Sequence, residues 1–219
     1  MVTVRLTMLC ASTARDSRDR VFGDDALSER GRGELTTAKA ALSSYAPVIR
    51  APSILCAQTA DALAVEATPE NAVRDLDYGL WDGRPLTDIA AEDPYGFSAW
   101  LTDPDAAPHG GESVGRLCRR TATWLHTLAA ETRPVLAITE ASVIRAALVH
   151  ALSAPVRAFW HLDVAPLAMV TLTLHDGRWH VRLGHLAVPP QWQPADDSVP
   201  VAVLTRPVTR QHMCLTGQR

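Results

Sequence analysis

MVTVRLTMLCASTAR, residues 1 to 15, opens as an apolar strand and then breaks into small residues. Val2 to Leu9 carry the strand, and Cys10, Ala11, Ser12, Thr13 and Ala14 follow it with little side chain among them. A strand that ends in small residues at the carboxyl edge of a parallel sheet is where α/β proteins place ligands. The stretch therefore predicts both a central strand and a ligand-binding edge, provided the chain downstream supplies the rest of the sheet.

The downstream pattern supplies it. Ser28 is placed to cap a helix running to about Tyr45, with Leu35, Ala38, Leu42 and Tyr45 on one face and Pro47 beyond it. Val48 to Leu55 reads as a strand interrupted at Pro52, and Ala57 to Ala67 as an alanine-rich helix. A short strand is expected over Val73 to Leu76. Residues 77 to 108, rich in Gly, Pro and Trp, form the least regular segment, with the length of a binding loop or lid. A helix follows from Glu112 to about Glu131, then a strand over Val135 to Thr139 and a helix over Ala141 to Leu152. Leu167 to Leu174 and Trp179 to Leu186 alternate apolar with polar residues on either side of Asp176-Gly177, a strong hairpin signal. Strands alternating with helices predict an α/β fold. It is a three-layer αβα sandwich with a mostly parallel central sheet and an antiparallel hairpin near the C-terminus. One domain over 1-219 is expected, with 189-219 as an extended tail in which Val201 to Leu204 reads as a short edge strand.

Composition narrows the class. The 219 residues are 47% hydrophobic and 21% charged, ordinary for a globular protein, and the net charge of -3 argues against a nucleic-acid binder. No apolar run is long enough to span a bilayer, and no secretion signal is read at the start, so no membrane partner is expected. Cys10, Cys56, Cys118 and Cys214 lack metal spacing and read as reduced thiols, which points to a cytoplasmic setting. No cofactor and no metal are expected. The expected partner is a small-molecule substrate, with a homodimer left open.

Five landmarks in order resemble the histidine phosphatase superfamily, the phosphoglycerate-mutase-like fold, over nearly all of Val2 to Ala187. Leu27 to Gly31 is similar to its L-T-x-x-G, Gln58-Thr59-Ala60 to its Q-T-A, and Asp75 to Gly83 to its E-x-x-F/Y-G-x-W-E-G. Gly110 to Ser113 is its G-G-E-S, and Ala141 to Arg145 stands where the family has G-G-x-I-R. The resemblance implies a phosphoryl-accepting histidine in an R-H-G motif after the first strand. Here Cys10 falls at the arginine, Ala11 at the histidine and Ser12 at the glycine. Leu55 falls at a second arginine, Glu140 at a second histidine, and Asp75 at the acid/base glutamate. A phosphohistidine cannot form on a methyl group, and a phosphate dianion needs cationic donors. Phosphatase or mutase action by the family mechanism is therefore not expected.

What the altered pocket offers instead is a pair of carboxylates. Asp75 and Glu140 in one partly apolar cleft push their pKa values apart, the requirement for paired general acid and base work. The expected function is a non-phosphatase enzyme of lyase or isomerase type. Its reaction would be an isomerisation, dehydration, cyclisation or epoxide opening on a non-phosphorylated small molecule in biosynthesis or specialised metabolism. The alternative is an inactive pseudophosphatase that binds a ligand or protein. Glu140 also stands where it would cap the helix from Ala141. Cys10 reads as either a thiol nucleophile or small-hydrophobe packing. Ser12 and Thr13 can donate to a ligand or close the turn. Leu55 makes the pocket apolar, Tyr78, Trp81, Tyr95, Phe97 and Trp100 form an aromatic set able to wall it, the resemblance alternatively implying a packing role for Trp81, and Glu112 belongs to the G-G-E-S landmark. His109 would supply a cation or an acid/base group, or is a loop histidine.

Overall fold

A computed structural model describes residues 4–12, 22–23, 25–38, 47–128 and 134–186 of the chain. Thr13, residues 39–46 and the tail from 187 onward, including Val201 to Leu204, lie outside the described residues. The described residues all belong to one compact unit within Met1–Val188.

Among the described residues the strands are β1 (Val4–Cys10), β2 (Val48–Arg50), β3 (Thr68–Pro69), β4 (Val135–Thr139), β5 (Ala168–His175) and β6 (Arg178–His185). The helices are α1 (Glu29–Ala38), α2 (Ile54–Leu63), α3 (Leu86–Glu92), α4 (Pro94–Thr102), α5 (Val114–Thr127) and α6 (Ala141–Ala151). They build one sheet in the order β3-β2-β4-β1-β5-β6. β1 is parallel to β4, β2 is parallel to β3 and β4, and β5 runs antiparallel to both β1 and β6. The α/β fold with a mostly parallel sheet and a C-terminal antiparallel hairpin is thus the one expected. β4 is buried at every position and apolar up to Thr139, as suits a strand covered on both faces. β6 is largely exposed and carries Arg178, His180 and Arg182, which blunt an open sheet edge.

Element boundaries depart from the sequence reading for local reasons. The strand expected over Val48 to Leu55 stops at Arg50, because Pro52 lacks an amide donor and Ser53 caps α2 by accepting from the Cys56 amide at 3.2 Å. α2 therefore starts before Ala57, and it ends at Leu63, with Ala64 in the left-handed region at φ 51°. In place of a strand over Val73 to Leu76 there is a 3₁₀ turn at Asn71–Val73, and β3 pairs with β2 just upstream. The segment 77 to 108 is more regular than expected. It holds a 3₁₀ turn at Gly79–Trp81 and both α3 and α4, the latter capped by Asp93, which accepts from the Gly96 amide at 2.8 Å.

That segment is stapled to the loop before α5. Leu80 donates to the His109 carbonyl at 2.8 Å, and Glu112 donates to the Asp77 carbonyl at 2.8 Å. Gly79 sits at φ +47°, and a Cβ there would collide with the His109 carbonyl and lie 2.8 Å from the Gly111 amide nitrogen. Gly79→Ala combines a left-handed backbone with a steric clash, so it should destabilise the protein by more than about 2 kcal/mol. Urea unfolding would measure this, and a loss within about 0.5 kcal/mol would show that the staple bends freely.

Candidate functional site

The register of β1 against β4 decides what meets at the sheet edge. Cys10 pairs with Thr139, and the Ala11 amide donates to the Thr139 carbonyl at 2.8 Å. Cys10, Ala11 and Ser12 therefore share the edge with Glu140, the residue after β4. The start of α2 contributes Leu55, the turn before Gly79 contributes Asp75, Leu76 and Tyr78, and α6 contributes Ser142 and Arg145. Trp100 from α4 and Phe159 and Trp160 from the 3₁₀ turn Val156–His161 complete a cleft of about 330 Å³. A second hollow of about 220 Å³ adjoins it and shares Leu55, Asp75, Leu76, Tyr78 and Glu140. The two carboxylates thus stand at a waist between two cavities.

The family landmarks hold this edge in shape. The Ser28 hydroxyl accepts from the Gly31 amide at 3.0 Å, and a Cβ on Gly31 would lie 2.6 Å from Ser12 Oγ, so α1 approaches the end of β1 closely. Gln58 Oε1 accepts from the Leu27 amide at 2.7 Å, and Thr59 Oγ1 accepts from the Ser12 amide at 3.4 Å.

Asp75 is half-buried. Its Oδ1 accepts from Ser142 Oγ and from the Leu76 amide at 2.7 Å. Burial first, and the negative charge of Glu140 second, push the Asp75 carboxyl up to about 7 against these two stabilising hydrogen bonds. Glu140 occupies the N-cap position of α6, yet its side chain makes no capping bond to that helix. It turns instead to α2, where Oε1 accepts from Ser53 Oγ and from Cys56 Sγ at 3.3 Å. Simple capping of α6 is thereby corrected. Burial, followed by the charge of Glu140, pushes the Cys10 thiol up to about 12, so at neutral pH Cys10 stays a protonated, packed thiol rather than a thiolate nucleophile.

Cys10, Ala11, Ser12, Leu55 and Tyr78 line the cleft, while three other residues named from the sequence do not. Trp81 is buried behind it, stacked on Phe22 and against Trp100. His109 is fully buried, 5.0 Å from the Trp81 ring, and its Nδ1 accepts from the Gly111 amide at 3.0 Å. Burial lowers its pKa, so His109 is neutral and supplies no cation. Glu112 is buried in an ion pair with Arg120, at 2.7 Å. Arg120 also donates to the carbonyls of Ala72, Arg74 and Asp75 at 2.8, 3.0 and 3.2 Å. Glu112 therefore braces the backbone that carries Asp75, without facing the cleft.

The cation in the cleft is Arg145, which sequence reading placed only within a landmark. Its guanidinium lies 5.8 Å from the Phe159 ring centre, and among the described residues it forms no ion pair. Trp100 belongs to the aromatic set expected from the sequence, whereas Phe159 and Trp160 carry no sequence signal beyond apolar character. Buried side-chain atoms without a hydrogen-bond partner among the described residues include Ser12 Oγ, Trp100 Nε1, Arg145 Nε and Trp160 Nε1. All four belong to residues that line this one cleft. Among the described residues no group of three or more His, Cys, Asp and Glu is arranged to hold a metal ion, and no helix is long and apolar enough to cross a membrane.

With this geometry in place, the comparisons with known proteins fix the class. A family model for the histidine phosphatase superfamily (branch 1) matches residues 14–185, and the chain belongs to that superfamily. A bifunctional protein of Mycobacterium tuberculosis is 30% identical over 128 residues, 57% of this chain and 35% of the relative. The chain thus spans about a third of the length of the first curated relatives it matches. An adenosylcobalamin/alpha-ribazole phosphatase of Salmonella typhi is 26% identical over 164 residues, covering 69% of this chain and 79% of the relative. The native structure of mycobacterial glucosyl-3-phosphoglycerate phosphatase superimposes with a TM-score of 0.72 at 24% identity, covering 84% of this chain and 100% of that one.

These findings overturn the expectation of non-phosphatase chemistry. Relatives on both the sequence and the structure side are phosphatases, against a lyase or isomerase. Loss of the histidine and arginine positions at Cys10, Ala11, Leu55 and Glu140 removes the family's phosphohistidine route without removing every cation from the cleft. The sequence argument gives no weight to Arg145, a cation that the family landmark leaves in plain view.

Proposed function

We propose that the chain is a phosphomonoester hydrolase that works by direct attack of water rather than through a phosphohistidine. The observation that carries this reading is the set of cleft side-chain atoms without a hydrogen-bond partner among the described residues, Arg145 Nε foremost, beside two carboxylates in different hydrogen-bonding environments. An oxygen-rich anion is the ligand that such donors fit. The phosphatase relatives supply the reaction class.

The roles follow from the chemistry. Arg145 and the N-terminal amides of α6 hold the non-bridging phosphoryl oxygens, where the guanidinium and the helix dipole both favour negative charge. Ala11 leaves space at the sheet edge in which a water can lie beside Ser12 Oγ. Glu140 takes a proton from that water as its oxygen bonds to phosphorus. Asp75, which keeps its proton up to about pH 7, donates it to the leaving oxygen as the phosphorus–oxygen bond breaks. The products are the alcohol and inorganic phosphate, and solvent resets the two carboxyl groups.

Release of inorganic phosphate from a panel of small phosphomonoesters tests the reading. Arg145→Ala should lower kcat/KM at least about a hundredfold, since it removes the charge that balances the phosphoryl group. A chirally labelled ester should give inversion at phosphorus, because one displacement inverts and two retain. Absence of phosphate release from every ester of the panel, or full activity in Arg145→Ala, would overturn it.

A further inference from the structure

Resting on the hydrolase reading, we infer that the alcohol part of the substrate is a flat apolar ring system bearing a hydrogen-bond acceptor. That acceptor is taken by the indole N–H groups of Trp100 and Trp160. The two rings meet edge to face, with centroids 4.3 Å apart and planes at 71°. They come from segments distant in the chain, α4 and the turn Val156–His161, and converge only at the cleft. Each indole nitrogen is buried and has no partner among the described residues. Trp100 is 6% exposed, so protein covers nearly all of its surface.

An indole N–H is a donor and nothing else, and buried donors are almost always paired in folded proteins. Two such orphans, on one aromatic pair that lines the cleft, leave each donor wanting an acceptor that the folded chain does not supply. Neither cleft carboxylate accepts from an indole, and the bonds that Asp75 Oδ1 and Glu140 Oε1 accept go to other groups. Asp75 Oδ1 takes Ser142 and the Leu76 amide, and Glu140 Oε1 takes Ser53 and Cys56. The remaining lining near the pair, Phe159, Val164 and Pro166, is apolar and offers no acceptor side chain. Flat apolar surface suits a ring, and unpartnered indole N–H groups suit a carbonyl or ether oxygen on it. A polyol would find too few hydrogen-bonding groups on this wall, and a bare hydrocarbon would leave both donors unpaired.

Calorimetry with two phenols of similar shape separates these cases without relying on turnover. 4-Hydroxyacetophenone, which carries a carbonyl, should bind at least about tenfold tighter than 4-isopropylphenol, which does not. Trp100→Phe and Trp160→Phe keep a ring and remove the donor, so each should shrink that preference to within about threefold. Equal binding of the two phenols by the native protein would overturn the inference, as would a preference that survives both substitutions. Phosphate release from a ringless alkyl phosphate reports separately on the hydrolase. Release without ring selectivity sinks this inference alone, and selective ring binding without release sinks the hydrolase.

Discussion

Asp75→Asn should stabilise the protein while slowing phosphomonoester turnover at least about a hundredfold, the usual contribution of a positioned general acid. The two effects share one cause. The carboxyl rises from its ordinary 3.8 to about 7 because the folded protein disfavours its ionised form. Between those values the native state binds more protons than the unfolded chain, so stability falls as pH rises through the window and is level above about 7. Complete linkage over such a shift amounts to ~4 kcal/mol, and roughly half is expected because the cleft admits water. Asparagine keeps an oxygen for Ser142 and the Leu76 amide and removes the charge. Its gain of about 2 kcal/mol should be absent near pH 4 and complete above pH 7, which denaturant midpoints across the pH range will show. The native enzyme should lose activity as pH rises through about 7, where its acid gives up the proton. A variant that is destabilised at pH 8, or that turns over at the native rate, would remove Asp75 from this role.

The largest loss of stability is expected at Arg120, outside the cleft. Arg120 grips Glu112 through Nε at 3.0 Å and Nη2 at 2.7 Å while donating to three carbonyls, the last of them that of Asp75. Only 15% of the Arg120 side chain and 7% of the Glu112 side chain are exposed. Arg120→Leu leaves the buried carboxylate with only the longer ion pair to Arg74 at 3.7 Å and leaves those carbonyls short of donors, at a cost of ~3–5 kcal/mol. Lysine restores the charge but not the planar fork that spans carboxylate and backbone, so Arg120→Lys should recover only part. The double variant Arg120→Leu/Glu112→Leu should be more stable than Arg120→Leu alone, because the stranded charge is gone. Urea midpoints of these three variants decide the matter, and a loss below about 1 kcal/mol in Arg120→Leu would mean that Glu112 reaches water unaided.

The sequence by itself determined the strands and the hairpin, because their signals are local. Leu6 to Leu9 and Val135 to Thr139 are apolar runs that pair in the sheet centre, and Asp176-Gly177 takes up the positive φ values, 48° and 73°, that a tight turn between antiparallel strands requires. It also brought Asp75, Glu140 and Leu55 to one edge, through landmarks whose order tracks the fold. Its misreadings came where chain proximity misled. His109 and Glu112 adjoin the same glycines, yet one is locked neutral beside Trp81 and the other is tied to Arg120 across a helix turn. Only the tertiary structure decided that Arg145 lines the cleft with no ion pair among the described residues, that Glu140 turns to Ser53 rather than capping its own helix, and that Trp100 meets Trp160. The physical reason is that periodicity records which face of an element is apolar, whereas partners tens of residues apart are chosen by packing. A hydrogen-bond donor left without a partner therefore becomes visible only once every neighbour is in place.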